Sequence, residues 1–299
     1  MPHVHHVLVH VGRLVASGRH GFTLIEAIIA LLLSSVVIIL VSSTFLIQNQ
    51  YYSTQIQVTG AHDNARASTE LLASEIRSVM ESGVTVAGAR TLTVRTAMAL
   101  IMACHTGTSG VDVFLDGGLA SLDTTEIAGV ARRDMTTGDW TYASTDWGSL
   151  EMGGGDPAGD CADKGADTTG VSPDYYQFSH SAMSGLGSGP FDYDVLMLFR
   201  ETTFTFQTWE MDSTTMGLFR QAYGGSLVEY ATGMDTTAQF QYRVESSGYS
   251  DTITAAKLDS IDVVRIVAEA RKPAPTGGVD DILYGWSVNI PLRNVRGND

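Results

Sequence analysis

One acidic side chain stands inside a long apolar segment near the N-terminus, and it is the first candidate for chemistry. Glu26 is the single charged residue between Phe22 and Ile47. A carboxylate inside a membrane span costs about 2.5–3.5 kcal/mol on insertion scales, so it needs a partner or a function. The alternative is an acid at the membrane edge that extends outward to water. The sequence therefore marks Glu26 as a candidate pairing site.

Two cysteines form the second candidate pair. Cys104 and Cys161 are too few for a disulfide-scaffold protein and lack the spacing of a metal finger. In an oxidising compartment they can form a disulfide, and closing a loop of about 58 residues contributes roughly 4 kcal/mol in the loop-entropy model. The alternative is two unpaired cysteines, with Cys104 buried after Ile101 and Met102.

An acidic segment between Trp147 and Pro190 offers oxygen ligands of the kind that Ca²⁺ prefers. It is rich in Gly, Asp and Ser and has almost no apolar periodicity, so we predict a functional or mobile loop. Its acids do not have EF-hand spacing, and a solvated surface is the alternative. We expect no cofactor, and calcium is the one candidate that the sequence offers. The candidate ligands are Asp156, Asp160, Asp163 and Asp167.

No catalytic motif is present in the chain. It contains no GxSxG, HExxH, P-loop or dinucleotide-binding sequence. His105 adjoins Cys104, but two residues do not make a metal or thiol site. We therefore predict no catalytic residues and no enzymatic activity.

The element that would position Glu26 is an apolar helix. The stretch from Ala27 to Ile47 is uncharged, and at ~1.5 Å per residue it reaches about 31 Å, enough to cross a hydrocarbon layer of ~30 Å. Arg13 and Arg19 precede it and acids follow it, which places the N-terminus in the cytoplasm. The sequence predicts a single-pass protein of the inner (cytoplasmic) membrane whose C-terminal domain is periplasmic or extracytoplasmic.

The helical period continues beyond the membrane. Apolar residues recur at spacings of three, four or seven as far as Val79, and Gly83 is the expected stop. We predict one helix from Phe22 to about Ser82, transmembrane over 22–47 and amphipathic over 48–83.

After Gly83 the pattern alternates with a period of two, which indicates half-buried antiparallel strands. The predicted fold class is α+β, a long N-terminal helix packed on an antiparallel β-sheet domain at 84–299, with a loop at about 147–190. A short helical or loop insert is expected at Leu227–Gly233. The predicted strands are Thr91–Arg95, Val111–Leu115, Val195–Arg200, Thr202–Trp209, Met216–Tyr223, Phe240–Val244, Ile261–Ala270 and Trp286–Leu292.

The chain is acidic, with 18 Lys and Arg against 33 Asp and Glu and a net charge of −15. Non-specific nucleic-acid binding depends on cations that release counterions from phosphates, so we expect no nucleic-acid partner. The 44% hydrophobic content of these 299 residues is enough to bury a core, which argues against disorder.

The string GFTLIE at Gly21–Glu26 follows a short basic leader and opens the apolar run. It resembles the type IV pilin signature. The resemblance implies that residues 1–21 are a leader, that prepilin peptidase cuts after Gly21, and that Phe22 becomes N-methylated. It also implies that Glu26 neutralises the N-terminal amine of a neighbouring subunit during filament assembly.

The rest of the chain is similar in outline to PilW-like minor pilins and to the J-type minor pseudopilins of type II secretion. The features are NARASTELLASEIRS at the helix end, the strand SIDVVRIVAEARK and a last strand ending PLRN. The resemblance implies a non-enzymatic subunit that initiates or caps a type IV pilus-like filament and lies at its tip. Its partners would be prepilin peptidase, other minor and major pilins or pseudopilins, and the inner-membrane assembly platform. The alternatives are a J-type pseudopilin of a secretion system, or a tip adhesin or substrate-binding module on a pilin stalk.

Overall fold

The computed structural model describes residues 23–108, 110–115, 122–152, 161, 174–187, 189–191, 194–245, 247–272 and 282–292. It confirms the α+β fold class, because a long apolar N-terminal helix is followed by an antiparallel β-sheet domain. The chain divides into two compact units, Met1–Ile56 and Gln57–Asp299.

The described part of the first unit is helical from Leu24 onward. Helix α1 runs from Leu24 to Arg77, and the part up to Ile56 is, within the described residues, the one helix long and apolar enough to cross a membrane. Its large apolar side chains are exposed, from 48% at Ile28 to 80% at Leu24. An apolar surface of this length needs a lipid or protein environment, as expected for the predicted span.

Helix α1 ends earlier than the sequence pattern predicts. It stops at Arg77, and Val79, which the apolar stripe assigns to the helix, begins the first strand. Gly83 is not the helix stop. A Cβ at Gly83 would lie 2.7 Å from the carbonyl oxygen of Met80 and 2.9 Å from that of Arg95, so the glycine permits a close backbone approach instead.

The β-sheet domain that follows α1 is called the head. Its described strands are β1 Val79–Ala87, β2 Thr91–Thr106, β3 Gly110–Leu115, β4 Ile127–Arg133, β5 Trp140–Ser144, β6 Glu151–Met152, β7 Asp174–Ser179, β8 Val195–Trp209, β9 Asp212–Ala222, β10 Leu227–Met234, β11 Gln239–Val244, β12 Tyr249–Ser250, β13 Ile261–Lys272 and β14 Ile282–Pro291. They belong to one antiparallel sheet with the order β12-β11-β13-β10-β9-β8-β2-β3-β7-β6. Strand β1 also pairs with β2, β14 with β13, and β4 with β5 and β8.

The expected helical or loop insert at Leu227–Gly233 is wrong, because this segment is strand β10, antiparallel to β9. Its register shifts twice, between Glu229 and Ala231 and between Ala231 and Met234, and Gly233 has a φ of 78°. These irregularities break the alternation of apolar and polar residues by which a strand is recognised.

The expected loop at about 147–190 is partly wrong. Helix α2 spans Trp147–Leu150, β6 and β7 lie within the segment, and Ser184–Leu186 forms a 3-10 turn. Leu150 and Phe178 are fully buried. Residues 153–160 and 162–173 lie outside the described residues.

Two apolar cores lie on one face of the head. Along β8, Leu196 and Leu198 belong to one core, and Phe204 and Phe206 belong to the other. All four are even-numbered residues of one regular strand, so they point to the same side of the sheet. The stem-side core contains Leu72 and Ile76 of α1 together with Phe204, Phe206, Phe240 and Tyr242, and the distal core contains Ile101, Val113, Phe178, Leu196 and Leu198.

A polar belt separates the two cores and connects the end of α1 to the sheet. Glu75 of α1 accepts bonds from Arg220 Nε, at 3.1 and 3.2 Å, and from the hydroxyl of Tyr230, at 2.8 Å. Arg200 forms an ion pair with Glu126 at 3.3 Å. Burial, followed by the bond to Glu75, raises the pKa of Tyr230 to about 12. The belt ties α1 to β9 and β10 by charge-assisted bonds.

The buried phenol of Tyr242 makes the head sensitive to alkali. Its hydroxyl donates to the carbonyl of Gly88 at 2.9 Å, and burial raises the pKa of Tyr242 above its usual value near 10. At a pH above the usual tyrosine pKa and below the raised pKa of the folded head, Tyr242 keeps a proton that the unfolded chain releases. The free energy of unfolding therefore falls as the pH rises above about 10. Below that pH this group has no effect.

Urea unfolding of the protein at pH 8 to 11 would measure this dependence. We expect a falling midpoint above pH 10, and a smaller slope for Tyr242→Phe, which cannot ionise. The remaining slope should come from Tyr142 and Tyr230, whose pKa values are also raised by burial. Equal midpoints at pH 8 and pH 11 would contradict the prediction.

Candidate functional site

The predicted processing junction lies at the start of α1. Gly21 and Phe22 are outside the described residues, so the described geometry begins at Thr23. Thr23 directly precedes the first helical residue, Leu24, and therefore occupies the N-cap position. Glu26 lies in the first turn, three residues later.

Thr23 and Glu26 form a capping box. The backbone N–H and the hydroxyl of Thr23 donate to Glu26 Oε2 at 3.1 and 3.0 Å, and the backbone N–H of Glu26 donates to Thr23 Oγ1 at 3.4 Å. This reciprocal pattern satisfies helix N–H groups that have no partner within the helix. The pattern Thr-x-x-Glu at the start of an apolar run is the sequence signal of this box.

The capping box leaves Glu26 able to bind a cation. Both bonds from Thr23 end on Oε2, and none of the described residues donates to Oε1. A carboxylate offers about four lone-pair positions, so an ammonium group can bind while the cap persists. The N-terminal end of the helix dipole also favours a negative charge at this position. Glu26 can therefore accept the capping bonds of Thr23 and bind a cation at the same time.

Cys104 and Cys161 are joined by a disulfide in the structure, with Cα atoms 5.0 Å apart. Both are almost completely buried, at 3% and 0% exposure. Cys104 lies on β2, so the bond ties residue 161 to a central strand of the sheet. Because its sulfur is in a disulfide, Cys104 is not available to form a thiol site with His105.

We expect that this disulfide stabilises the head. Its loop is closed across a sequence separation of 57, and in the loop-entropy model reduction should lower the free energy of unfolding by roughly 4 kcal/mol. Intact mass after alkylation, with and without prior reduction under denaturing conditions, gives the redox state, and thermal unfolding gives the stability. The double variant Cys104→Ala/Cys161→Ala should unfold at a lower temperature and be insensitive to reductant. Alkylation of two thiols without reduction would contradict the prediction.

The candidate calcium ligands Asp156, Asp160, Asp163 and Asp167 lie outside the described residues. Across the described part of the chain, no group of three or more His, Cys, Asp or Glu side chains is placed to hold a metal ion. The calcium site therefore stays a prediction from the sequence.

The aromatic residues of β7 divide between the two faces of the sheet. Phe178 is fully buried, and Trp147 contacts it and Tyr176 edge to face, with ring centroids 5.8 and 5.3 Å apart. These two residues anchor the segment on the distal core. Tyr175, on the opposite face, is half-buried.

An apolar row crosses the face of the head opposite to the two cores. The residues opposite one another on adjacent strands are Val195, Met102, Phe114 and Tyr175. Met102 and Val195 are 40% and 41% exposed, and the adjacent Leu100 is 61% exposed. Contiguous exposed apolar groups on a soluble domain often mark protein contacts.

The comparisons with known proteins concern the N-terminus. No curated protein and no solved structure matches the chain. The family model described as the prokaryotic N-terminal methylation motif matches residues 16–42, which include the junction, the capping box and most of the apolar segment. The subunits that carry this motif are structural and non-enzymatic. The chain thus has the N-terminal signal of a type IV pilin-like or pseudopilin-like precursor, followed by an apolar helix that is typical of an inner-membrane anchor.

Proposed function

We propose that this protein is a minor pilin or pseudopilin, a non-enzymatic subunit that initiates or caps a type IV pilus-like filament after processing by prepilin peptidase. The observation that carries the proposal is the methylation motif at 16–42 directly joined to an exposed apolar helix. In this proposal residues 1–21 are removed, Phe22 is methylated, and Glu26 pairs with the new amine of a neighbouring subunit.

The structure of the head supports a place at the filament tip. The described part of the head has a sheet of fourteen strands and three buried apolar clusters, and we infer that it is larger than a subunit in the body of a filament requires. A bulky domain is easier to place where no further subunit stacks above it. The acidic charge of the chain, −15, favours a soluble head outside the membrane.

The proposed partners follow from the processing signal and the anchor. Prepilin peptidase and other pilins are implied by the motif. We propose that the partners also include the inner-membrane assembly platform and a few other minor subunits, with the N-terminus cytoplasmic and the head extracytoplasmic. The apolar row that includes Met102 and Val195 is exposed for contact with such subunits. A J-type pseudopilin of a secretion system would use the same features, and the neighbouring genes separate the two.

The proposal predicts a few copies per filament, located at one end. Gold labelling of an epitope inserted directly after Gly187, an exposed residue of the head, should give particles at filament ends. Deletion of the gene should reduce filament number much more than filament length, because initiation is lost and elongation is not. Labelling at regular intervals along the shaft would contradict an initiating or capping role. An epitope-tagged major pilin, labelled in parallel, is the control for access along the shaft.

A further inference from the structure

Two adjacent tyrosines lie just beyond the apolar run of α1. Tyr51 and Tyr52 are 66% and 64% exposed, and they follow the uncharged polar residues Gln48–Gln50. Between Glu26 and Asp63 the sequence contains no Asp, Glu, Lys or Arg. Thus no fixed charge marks the point where the helix leaves the membrane on the outer side.

The apolar run alone does not determine how deep the helix lies. From Leu24 to Ile47 it reaches about 36 Å, which exceeds a hydrocarbon layer of ~30 Å by about 6 Å. A helix with this excess can slide or tilt at a cost of only fractions of a kcal/mol per Å. The groups at its two ends must therefore set its position.

We propose that Tyr51 and Tyr52 are an interfacial anchor. Their rings lie among the lipid headgroups on the extracytoplasmic side of the membrane that the helix crosses. A tyrosine has an apolar ring and a hydroxyl that remains hydrated, which suits this boundary. From Leu24 to Tyr51 the helix rises about 40 Å, which matches the ~40–45 Å thickness of a bilayer with its headgroups. Tyr51 and Tyr52 are continuous with the apolar span, so we infer that they contact the surface of the lipid bilayer.

The anchor acts against the charge at the other end of the helix. Glu26 is drawn towards cytoplasmic water because its carboxylate is costly inside hydrocarbon. Tyr51 and Tyr52 hold the opposite end at the outer boundary. Together they determine the depth of Glu26 and, with it, of the cleavage junction. Without the tyrosines, the helix is expected to shift towards the cytoplasm by up to about 6 Å, the excess length of the apolar run.

Depth-dependent fluorescence quenching tests this inference on the full chain in phosphatidylcholine–phosphatidylglycerol vesicles. Phe45→Trp places a reporter in the span, since the native tryptophans Trp140, Trp147, Trp209 and Trp286 all belong to the head. Lipids brominated at different acyl positions then report the reporter's depth. In the Tyr51→Ala/Tyr52→Ala background, the position of strongest quenching should move towards the bilayer centre by about 3–6 Å.

Tyr223→Ala is the matched control, because Tyr223 is an exposed tyrosine of the head, at 38%, and its loss should leave the reporter depth unchanged.

An unchanged reporter depth in the double variant would overturn the proposed anchor. If filaments were also lost in that case, the tyrosines would contact neighbouring subunits instead of lipid. If the double variant fails to insert, the two single variants are measured in the same way, and unchanged depth in both would overturn it equally. The vesicles contain no partner subunit, so the result does not depend on the proposed role in filament initiation.

Discussion

Replacing Gly21 with valine is expected to leave the protein as an unprocessed precursor that enters no filament. The methylation motif spans 16–42, and the resemblance places the scissile bond after Gly21. A side chain at this position displaces the peptide from the catalytic groups of prepilin peptidase, and a misplacement of about 1 Å can slow a reaction by about 100-fold. The measurement is the mass of the membrane-extracted protein, which should include residues 1–21 and lack the methyl group on Phe22.

The leader itself supplies the matched control. Gly18→Val makes the same chemical change three residues upstream of Gly21, and it should be cleaved and methylated like the unmodified chain. Both variants should be present in the membrane in similar amounts, because the apolar helix is unchanged. Normal cleavage of Gly21→Val, or equal loss of cleavage in the two variants, would refute the assignment of the junction.

Substitution of Glu26 by glutamine is expected to block assembly while processing and membrane insertion continue. Glutamine can still accept the capping bonds of Thr23, so the start of the helix is preserved. The negative charge is lost, however, and the amine of the neighbouring Phe22 would be left without its counter-ion in the membrane. Removal of one partner of a buried ion pair costs about 3–5 kcal/mol. At 1.4 kcal/mol per tenfold, this corresponds to a reduction of subunit recruitment by at least about 100-fold.

Two further variants separate the charge of Glu26 from its bonds to Thr23. Thr23→Ala removes the hydroxyl partner of the capping box but keeps the carboxylate, so it should reduce assembly only slightly. Glu26→Ala removes both the bonds and the charge, and it should resemble Glu26→Gln. Filament counts and the membrane content of mature subunit are the measurements. If Thr23→Ala were as defective as Glu26→Gln, the cap and not the charge would be the functional feature.

The sequence predicts the elements of this fold better than their ends. The apolar run and the period of two recover α1 and the main strands of the head, because both patterns reflect one buried or lipid-facing side. The predicted end of α1 is several residues too late. Val79 and Met80 are apolar residues that fit the buried side of a helix or of a strand, and periodicity does not distinguish the two over so short a segment. Strand β10 is missed because its irregular register removes the alternation.

The candidate site is partly predictable for a related reason. Glu26 is recognisable because a charge in an apolar run is costly, and this depends only on local sequence. The polar belt around Glu75 could not be predicted, because its partners Arg220 and Tyr230 are more than a hundred residues away. The capping box can be predicted from the sequence, because Thr23 and Glu26 are only three residues apart. The pairing of cysteines 104 and 161 stays testable by mass.

The polar belt also bears on which parts of the head tolerate change. Leu198 and Phe204 lie about 20 Å apart along β8, and Arg200 and Thr202 stand between them. Substitutions separated by more than about 7–10 Å, without shared contacts, usually have additive effects on stability. Substitutions in the distal core are therefore expected to change stability independently of substitutions at Leu72 and Ile76. We expect that the distal half of the head can be redesigned without loss of the contacts by which the stem-side core holds Leu72 and Ile76 of α1.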